Sequence, residues 1–151
     1  IVLSSDLEIS IKSNLAKTIH EQPVWIFHSN GVCEELRSKW LQLGAKLFEC
    51  EVDDFGISLK GVMQKLSDQG ITRLLCEGGG KLAASLIRSE LVDEIVTFHG
   101  GLIVGADGVP SIGELGINAL IDAKRWRLDQ TLSFDTEVLN IWHPTDKYIK
   151  N

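Results

Sequence analysis

The sequence predicts an α/β fold, a mixed and mainly parallel sheet flanked by helices and finished by a C-terminal antiparallel β-hairpin. Two observations carry this. Between residues 24 and 98, short β-branched and aromatic runs alternate with segments of helical period, the pattern of successive βα units. Beyond residue 126 the helical period is gone, and two alternating runs flank a short turn.

The elements follow in order. Ile1-Val2-Leu3-Ser4 reads as a short strand and Ser5-Asp6 as a turn. Residues 7–22 are mixed and polar, with Ser13-Asn14-Leu15 interrupting any period, and are expected to be loop. Val24–His28 is a buried strand between Pro23 and Ser29-Asn30-Gly31. From Cys33 to Leu43, Leu36, Trp40 and Leu43 recur at helical spacing, and Gly44 stands where a helix ends. Ala45–Val52 is the next strand and Asp53–Gly56 a turn. Ser58 caps a helix whose apolar positions are Leu59, Val62, Met63 and Leu66, ended by Gly70. Thr72–Cys76 is a strand, Lys81–Arg88 a helix and Val92–Phe98 a further strand, which Gly100–Gly105 continues or bends. Residues 105–118, rich in glycine and containing Pro110, form a surface loop. Trp126–Leu132 and Glu137–Trp142, joined by Ser133–Thr136, make the hairpin.

With 151 residues the chain fits one domain of ordinary size, and 44% hydrophobic content suffices for a core. A net charge of −6 argues against nucleic acid, which is held mainly by Lys and Arg. No apolar run approaches the length of a membrane helix, so no membrane partner is expected. Cys33, Cys50 and Cys76 are odd in number and lack paired spacing, which favours reduced thiols in a cytoplasmic protein over disulfides or zinc; no metal is expected. The chain opens directly on a strand without an initiator Met, so it is expected to be a fragment.

The chemistry concentrates in Leu74-Leu75-Cys76-Glu77-Gly78-Gly79-Gly80-Lys81-Leu82-Ala83-Ala84-Ser85. An apolar run, one acid, three glycines and a helix-like segment place bare backbone amides at a helix start, where an anion, usually a phosphate, is favoured. A P-loop is excluded, because position 75 is Leu and Gly80-Lys81 is followed by Leu82. Gly78, Gly80 and Ala83 fit the loose dinucleotide fingerprint, but late in the chain and without a clear acidic ribose partner downstream. A tight turn with no ligand stays open, as does Glu77 as an exposed strand-end acid in a salt bridge. An acid so near a phosphate cradle is odd for phosphate alone and suggests a second ligand.

Leu75–Gly80, the small-residue helix Leu82–Leu86 and Leu91-Val92-Asp93-Glu94-Ile95 together resemble the reductase domain of the bifunctional riboflavin-biosynthesis deaminase/reductase family. That family typically reads Val-Glu-Gly-Gly, a small-residue helix, then Leu-Val-Asp-Glu. Gly100–Gly108 resembles its glycine-rich loop and Ile1–Ser5 its internal Val-Val-Leu-Asp-Ser strand, so the likeness runs from residue 1 to about residue 143. The resemblance implies a dihydrofolate-reductase-like fold and NADPH-dependent reduction of 5-amino-6-(5-phosphoribosylamino)uracil to its ribitylamino product. It implies that Glu77 contacts this pyrimidine ribosyl phosphate substrate. Gly79, Gly80, Lys81, Leu82, Ala83, Ala84 and Ser85 would line the NADPH diphosphate, and Ser5 would lie near the adenosine 2′-phosphate. Lys81 departs from the family, which often has a small or polar residue there. On this likeness, residues 1–151 are the C-terminal part of one reductase domain, with an N-terminal segment of that domain and any deaminase domain missing. A homo-oligomer, as a dimer, is the expected assembly. The sheet of such a fragment is expected to be interrupted rather than continuous within the chain.

His99 and His28 end strands and could face a site, but solvent or structural roles are the plainer reading, as core packing is for Trp25, Trp40, Trp126 and Trp142. Two alternatives to the riboflavin-type reductase remain at this level: a dihydrofolate-reductase-like reductase of another substrate, and a non-catalytic nucleotide-binding or oligomerisation module.

Overall fold

The computed structural model describes residues 1–54 and 56–145, which divide between two units, Ile1–Leu75 and Cys76–Asn151.

In the first unit, β1 (Val2–Leu3), β2 (Trp25–Ser29) and β3 (Lys46–Cys50) form a parallel sheet in the order β1-β2-β3. The central strand is the apolar run read from sequence, and it is continuous because both of its faces are covered. Ile26 packs with Leu7, Ala16, Ile19 and Trp40, drawn from the β1–β2 connection, from α1 (Asn14–Lys17) and from α2 (Glu34–Gln42). Phe27 points the other way and packs with Cys50 and with Val62 and Leu66 of α3 (Leu59–Asp68). Phe27 and Phe48 stack across β2 and β3 with centroids 4.7 Å apart and planes 9° from parallel. Fully burying a side chain such as Ile26 or Phe27 stabilises by about 2–3 kcal/mol.

The local signals act as expected at the helix ends. Ser58 Oγ accepts from the Gly61 amide and starts α3. Gly44, with φ +98°, supplies the left-handed residue that ends α2 and turns the chain into β3. Two expectations for this unit fail. Residues 7–22 are not all loop: the Ser13-Asn14-Leu15 interruption is a helix start, Ser13 Oγ capping α1 at the Ala16 amide. Nor is Ala45–Val52 one strand. β2 ends at Ser29 opposite Cys50, so the chain beyond Cys50 has no parallel partner. Instead β4 (Val52–Asp53) pairs antiparallel with β5 (Gly56–Ile57). The expected turn residue Phe55 lies outside the described residues.

The expected strand Thr72–Cys76 does not form. No described strand offers these residues a ladder, and Leu74 and Leu75 lie exposed, Leu75 at 81%. Apolar residues alone do not make a strand; the backbone needs a hydrogen-bonding neighbour.

In the second unit, α4 (Gly80–Arg88) is followed by β6 (Ile95–Gly100), β7 (Trp126–Phe134) and β8 (Glu137–Pro144). The hairpin β7–β8 is present, its turn using Asp135 at φ +49° and its register shifting between Leu128 and Gln130. β6 does not extend the parallel sheet as expected. It pairs antiparallel with β8, giving the order β6-β8-β7 and confining parallel pairing to β1–β3. The described strands therefore form three separate sheets. One face of β6-β8-β7 is mixed and cross-linked by hydrogen bonds, with Trp142 Nε1 donating to Thr97 Oγ1 at 3.2 Å and Thr131 Oγ1 donating to Asn140 Oδ1 at 2.8 Å. The other carries Val96, Phe98, Leu132 and Phe134, all exposed, Phe98 at 67%. Among the described residues no helix is long and apolar enough to cross a membrane.

Candidate functional site

The start of α4 gives the glycine-rich turn its meaning. Gly79 is the N-cap, and having no side chain it caps nothing. Its carbonyl accepts from the amides of Leu82 and Ala83, at 3.0 and 3.2 Å. The amides of Gly80 and Lys81 stand ahead of the first intrahelical bond and have no intrahelical partner. A Cβ on Gly79 would meet no atom within 4 Å, so the space beside these amides is open. Uncapped donors at the positive end of a helix, facing open space, fit a diphosphate.

The neighbouring glycines serve a different need. A Cβ on Gly80 would lie 2.7 Å from Pro110 O and 3.1 Å from the Gly113 amide nitrogen. A Cβ on Gly113 would lie 3.1 Å from Gly80 O. The two backbones cross in contact, and the Gly113 amide donates to Gly80 O at 2.8 Å. The glycine-rich loop is therefore not merely a surface loop: residues 110–114 lie against the first turn of α4. Sequence reading missed Gly113, whose only signal was one more glycine in a glycine-rich stretch.

The remaining expected positions are placed as follows. Glu77 is exposed three residues before α4, with no hydrogen bond or ion pair among the described residues, which leaves its carboxylate open to a ligand and disfavours the salt-bridge reading. Lys81 is exposed, and Leu82 half-buried. Ala84 is buried in the helix's apolar face with Leu86 and Ile87, so its smallness serves packing. The Ser85 hydroxyl is engaged by Arg88 Nη2 at 3.0 Å. Of the seven expected residues, Gly80 and Lys81 carry the amides without an intrahelical partner.

Ser5 lies in the first unit, in a tightly held turn. The Ser4 amide donates to Phe27 O, and Ser29 at the end of β2 donates both its amide, at 3.1 Å, and its hydroxyl to Ser5 O. Asp6 Oδ1 accepts from the Glu8 amide at 3.0 Å and from Ser4 Oγ at 3.3 Å, and those bonds hold its carboxyl below the ordinary range. Leu7 follows in a left-handed conformation, φ +58°, yet is wholly buried. The exposed-facing Ser5 hydroxyl makes no hydrogen bond among the described residues.

The histidines contribute less. His28 is buried, its Nδ1 donating to Ser29 O at 2.7 Å while Nε2 accepts from Arg37 Nη1 at 3.2 Å. His99 accepts from Asn140 Nδ2 at 3.4 Å on the hydrogen-bonded sheet face. Trp40 is buried in the core as expected. Cys50 is buried and its thiol is pushed up by desolvation, while Cys33 and Cys76 are exposed; all three are free. No group of three or more His, Cys, Asp or Glu among the described residues could hold a metal.

Comparison with known proteins gives the family and the fold. The family model "RibD C-terminal domain" matches residues 1–140. A 2,5-diamino-6-ribosylamino-4(3H)-pyrimidinone 5′-phosphate reductase of Archaeoglobus fulgidus is 38% identical over 65 residues, covering 41% of this chain and 30% of that protein. A protein of the same name from Aquifex aeolicus is 26% identical over 148 residues, covering 97% of this chain and 65% of its own length. RibD of the same organism is 29% identical, covering 84% and 33%. This chain thus spans less than two thirds of each of these relatives. Among solved structures, Acinetobacter baumannii RibD superposes with a TM-score of 0.76 at 18% identity, covering 95% of this chain and 37% of that one. A pyrimidine reductase-like protein of Corynebacterium diphtheriae gives 0.77 at 15% identity, covering 94% and 59%.

Proposed function

Because the chain belongs to the RibD C-terminal domain family, we propose that it is the reductase part of a riboflavin-pathway enzyme, using NADPH to reduce 5-amino-6-(5-phosphoribosylamino)uracil to the ribitylamino product. The observation that carries this reading is the pairing of an unengaged Glu77 with the uncapped, open start of α4 three residues on. A bare phosphate-binding turn has no use for that acid; a site holding two ligands does.

The bound nicotinamide supplies the hydride. Gly79, Gly80 and Lys81 would hold the dinucleotide's diphosphate through backbone amides, with the Lys81 cation adding to the attraction. Leu82 and Ala83 would line the diphosphate from the first turn, Ala84 lies on the helix's buried face, and Ser85 ties the helix to Arg88. Ser5 would offer its hydroxyl to the adenosine 2′-phosphate from a turn that Ser29 fixes. Glu77 would hydrogen-bond the ribosylamino substrate and favour its open-chain form, in which C1′ can accept a hydride.

One observation favours a second substrate. Relatives of A. fulgidus and A. aeolicus are named for the 2,5-diaminopyrimidinone ribosyl 5′-phosphate, which differs from the uracil compound in its ring substituents. Both share the ribosylamino phosphate arm that Glu77 would meet. We read the protein further as cytoplasmic and dimeric, supported by its three free cysteines and by the exposed Val96, Phe98, Leu132 and Phe134.

The test follows NADPH absorbance in the intact polypeptide with each ribosylaminopyrimidine phosphate in turn. Substrate-dependent oxidation is expected, and Glu77→Gln should lower turnover by about tenfold or more, as loss of a charge-assisted contact to a reacting group does. NADPH binding with no NADPH oxidation in the presence of either substrate would sink the reading in favour of a nucleotide-binding module. Unchanged turnover in Glu77→Gln would remove Glu77 from the chemistry.

A further inference from the structure

We infer that Arg88 is a positioning residue for the diphosphate cradle, acting by latching the Pro110–Glu114 segment against α4. The inference rests on the proposed NADPH site and adds to it a residue far from the anion itself.

The latch has two points. At one end of the nine-residue helix, the Gly113 amide donates to the carbonyl of Gly80, the first helical residue. At the other end, Arg88, the last helical residue, donates Nη1 to the carbonyl of Glu114 at 3.2 Å. Gly80 and Arg88 lie about 12 Å apart along the helix axis at 1.5 Å per residue, so the Arg88 side chain must extend back to meet the residue next to Gly113. Helical side chains lean toward the N-terminus, which lets Arg88 reach back along its own helix to do this. The other terminal nitrogen, Nη2, donates to Ser85 Oγ at 3.0 Å and fixes the guanidinium plane one turn back. A planar fork with two separate donors can serve both partners at once, where a lysine ammonium on a flexible stem holds neither in a set plane.

What the latch holds is the wall of the cradle. Pro110 O and the Gly113 amide lie so close to Gly80 that no side chain fits between them. Beside them Gly79 faces open space. With the Gly113 bond alone the segment would pivot about one point, and the wall beside the amides of Gly80 and Lys81 would shift. With Glu114 also held, the segment stays seated and those amides keep their direction.

The experiment uses the intact polypeptide and compares Arg88→Ala, Arg88→Lys and, as a control, Lys124→Ala. Lys124 braces the same end of α4 through Ile87 O and Glu90, at 3.4 and 2.8 Å, without touching the 110–114 segment. Fluorescence titration gives the NADPH Kd, steady-state kinetics separates KM from kcat, and thermal unfolding gives the midpoint. Arg88→Ala is expected to raise Kd and KM for NADPH by about tenfold, the loss of one or two charge-assisted hydrogen bonds' worth of positioning, with kcat at saturation nearly unchanged. Arg88→Lys should recover only part of this, and Lys124→Ala should lower the midpoint while leaving Kd alone. An Arg88→Ala protein that binds NADPH as the wild type does, or that loses stability and kcat with Kd unmoved, overturns the inference. A wild type that binds no NADPH overturns the parent reading and this inference with it, so the two failures are told apart by the first titration.

Discussion

Replacing Gly80 by alanine is the sharpest perturbation of the crossing at the start of α4. The added methyl would lie 2.7 Å from Pro110 O, where ordinary contact begins at 3.4 Å. The shortfall is about 0.7 Å, and because the opposing atoms are backbone no side chain can swing aside to absorb it. Overpacking of this kind costs about 1–3 kcal/mol. Separating the strands of chain also stretches the Gly113–Gly80 hydrogen bond, worth about 1 kcal/mol. Alanine's better helix propensity returns up to about 1 kcal/mol. The net expectation is destabilisation by about 1–3 kcal/mol in urea unfolding, with the NADPH Kd raised by tenfold to about a hundredfold as the cradle amides are displaced. Gly79→Ala separates the two effects. Its methyl meets no protein atom within 4 Å, so stability should change by no more than about 0.5 kcal/mol. It would nevertheless occupy the space proposed for the diphosphate, and NADPH binding should weaken. A Gly80→Ala protein as stable as wild type would refute the crossing, and a Gly79→Ala protein with wild-type affinity would refute the cradle.

Two further outcomes are expected in the first unit. Ser29→Ala removes the hydroxyl held by Ser5 O but keeps the backbone bond; Kd for NADPH should rise by roughly threefold to tenfold while Kd for NADH barely moves, and equal shifts for both cofactors would detach Ser5 from the 2′-phosphate. Asp6 is held below its ordinary pKa of 3.8, chiefly by the Glu8 amide. Its stabilising contribution is therefore present above that value and lost as pH falls through the lower, folded one. Asp6→Asn keeps an acceptor but not the titration, so its acid unfolding curve should be flatter below about pH 4; identical curves for the two proteins would show that the turn does not depend on the charge.

Much of this architecture is legible in sequence where the signal is local. Gly44 marks the end of α2, and Ser58 with the apolar spacing of Leu59, Val62 and Leu66 marks α3, each from local sequence alone. The Trp126–Trp142 hairpin declares itself through alternation and a short turn. What failed is what depends on a neighbour. Thr72–Cys76 has strand composition but no ladder, and β6 found β8 rather than the parallel sheet. The site divides the same way. The uncapped helix start follows from Gly79, but the Gly80–Gly113 contact joins residues 33 positions apart, and the grip of Ser29 on Ser5 spans 24. No periodicity encodes either pairing.

The turn that presents Ser5 has a property that exposure alone would hide. Leu7 sits at φ +58° and is completely buried. A bulky residue in that backbone region carries about 1–3 kcal/mol of strain. Glycine would relieve the strain but empty a place among Ile26, Ala16 and Trp40; valine or isoleucine would fill it and strain the backbone further. Neither direction of substitution is open, so a surface loop of ordinary appearance is pinned from beneath. Variation in this protein should therefore spare the path of residues 4–8 even where their side chains face water, and an engineer wishing to change what Ser5 touches would do better to alter Ser5 itself than to move the turn beneath it.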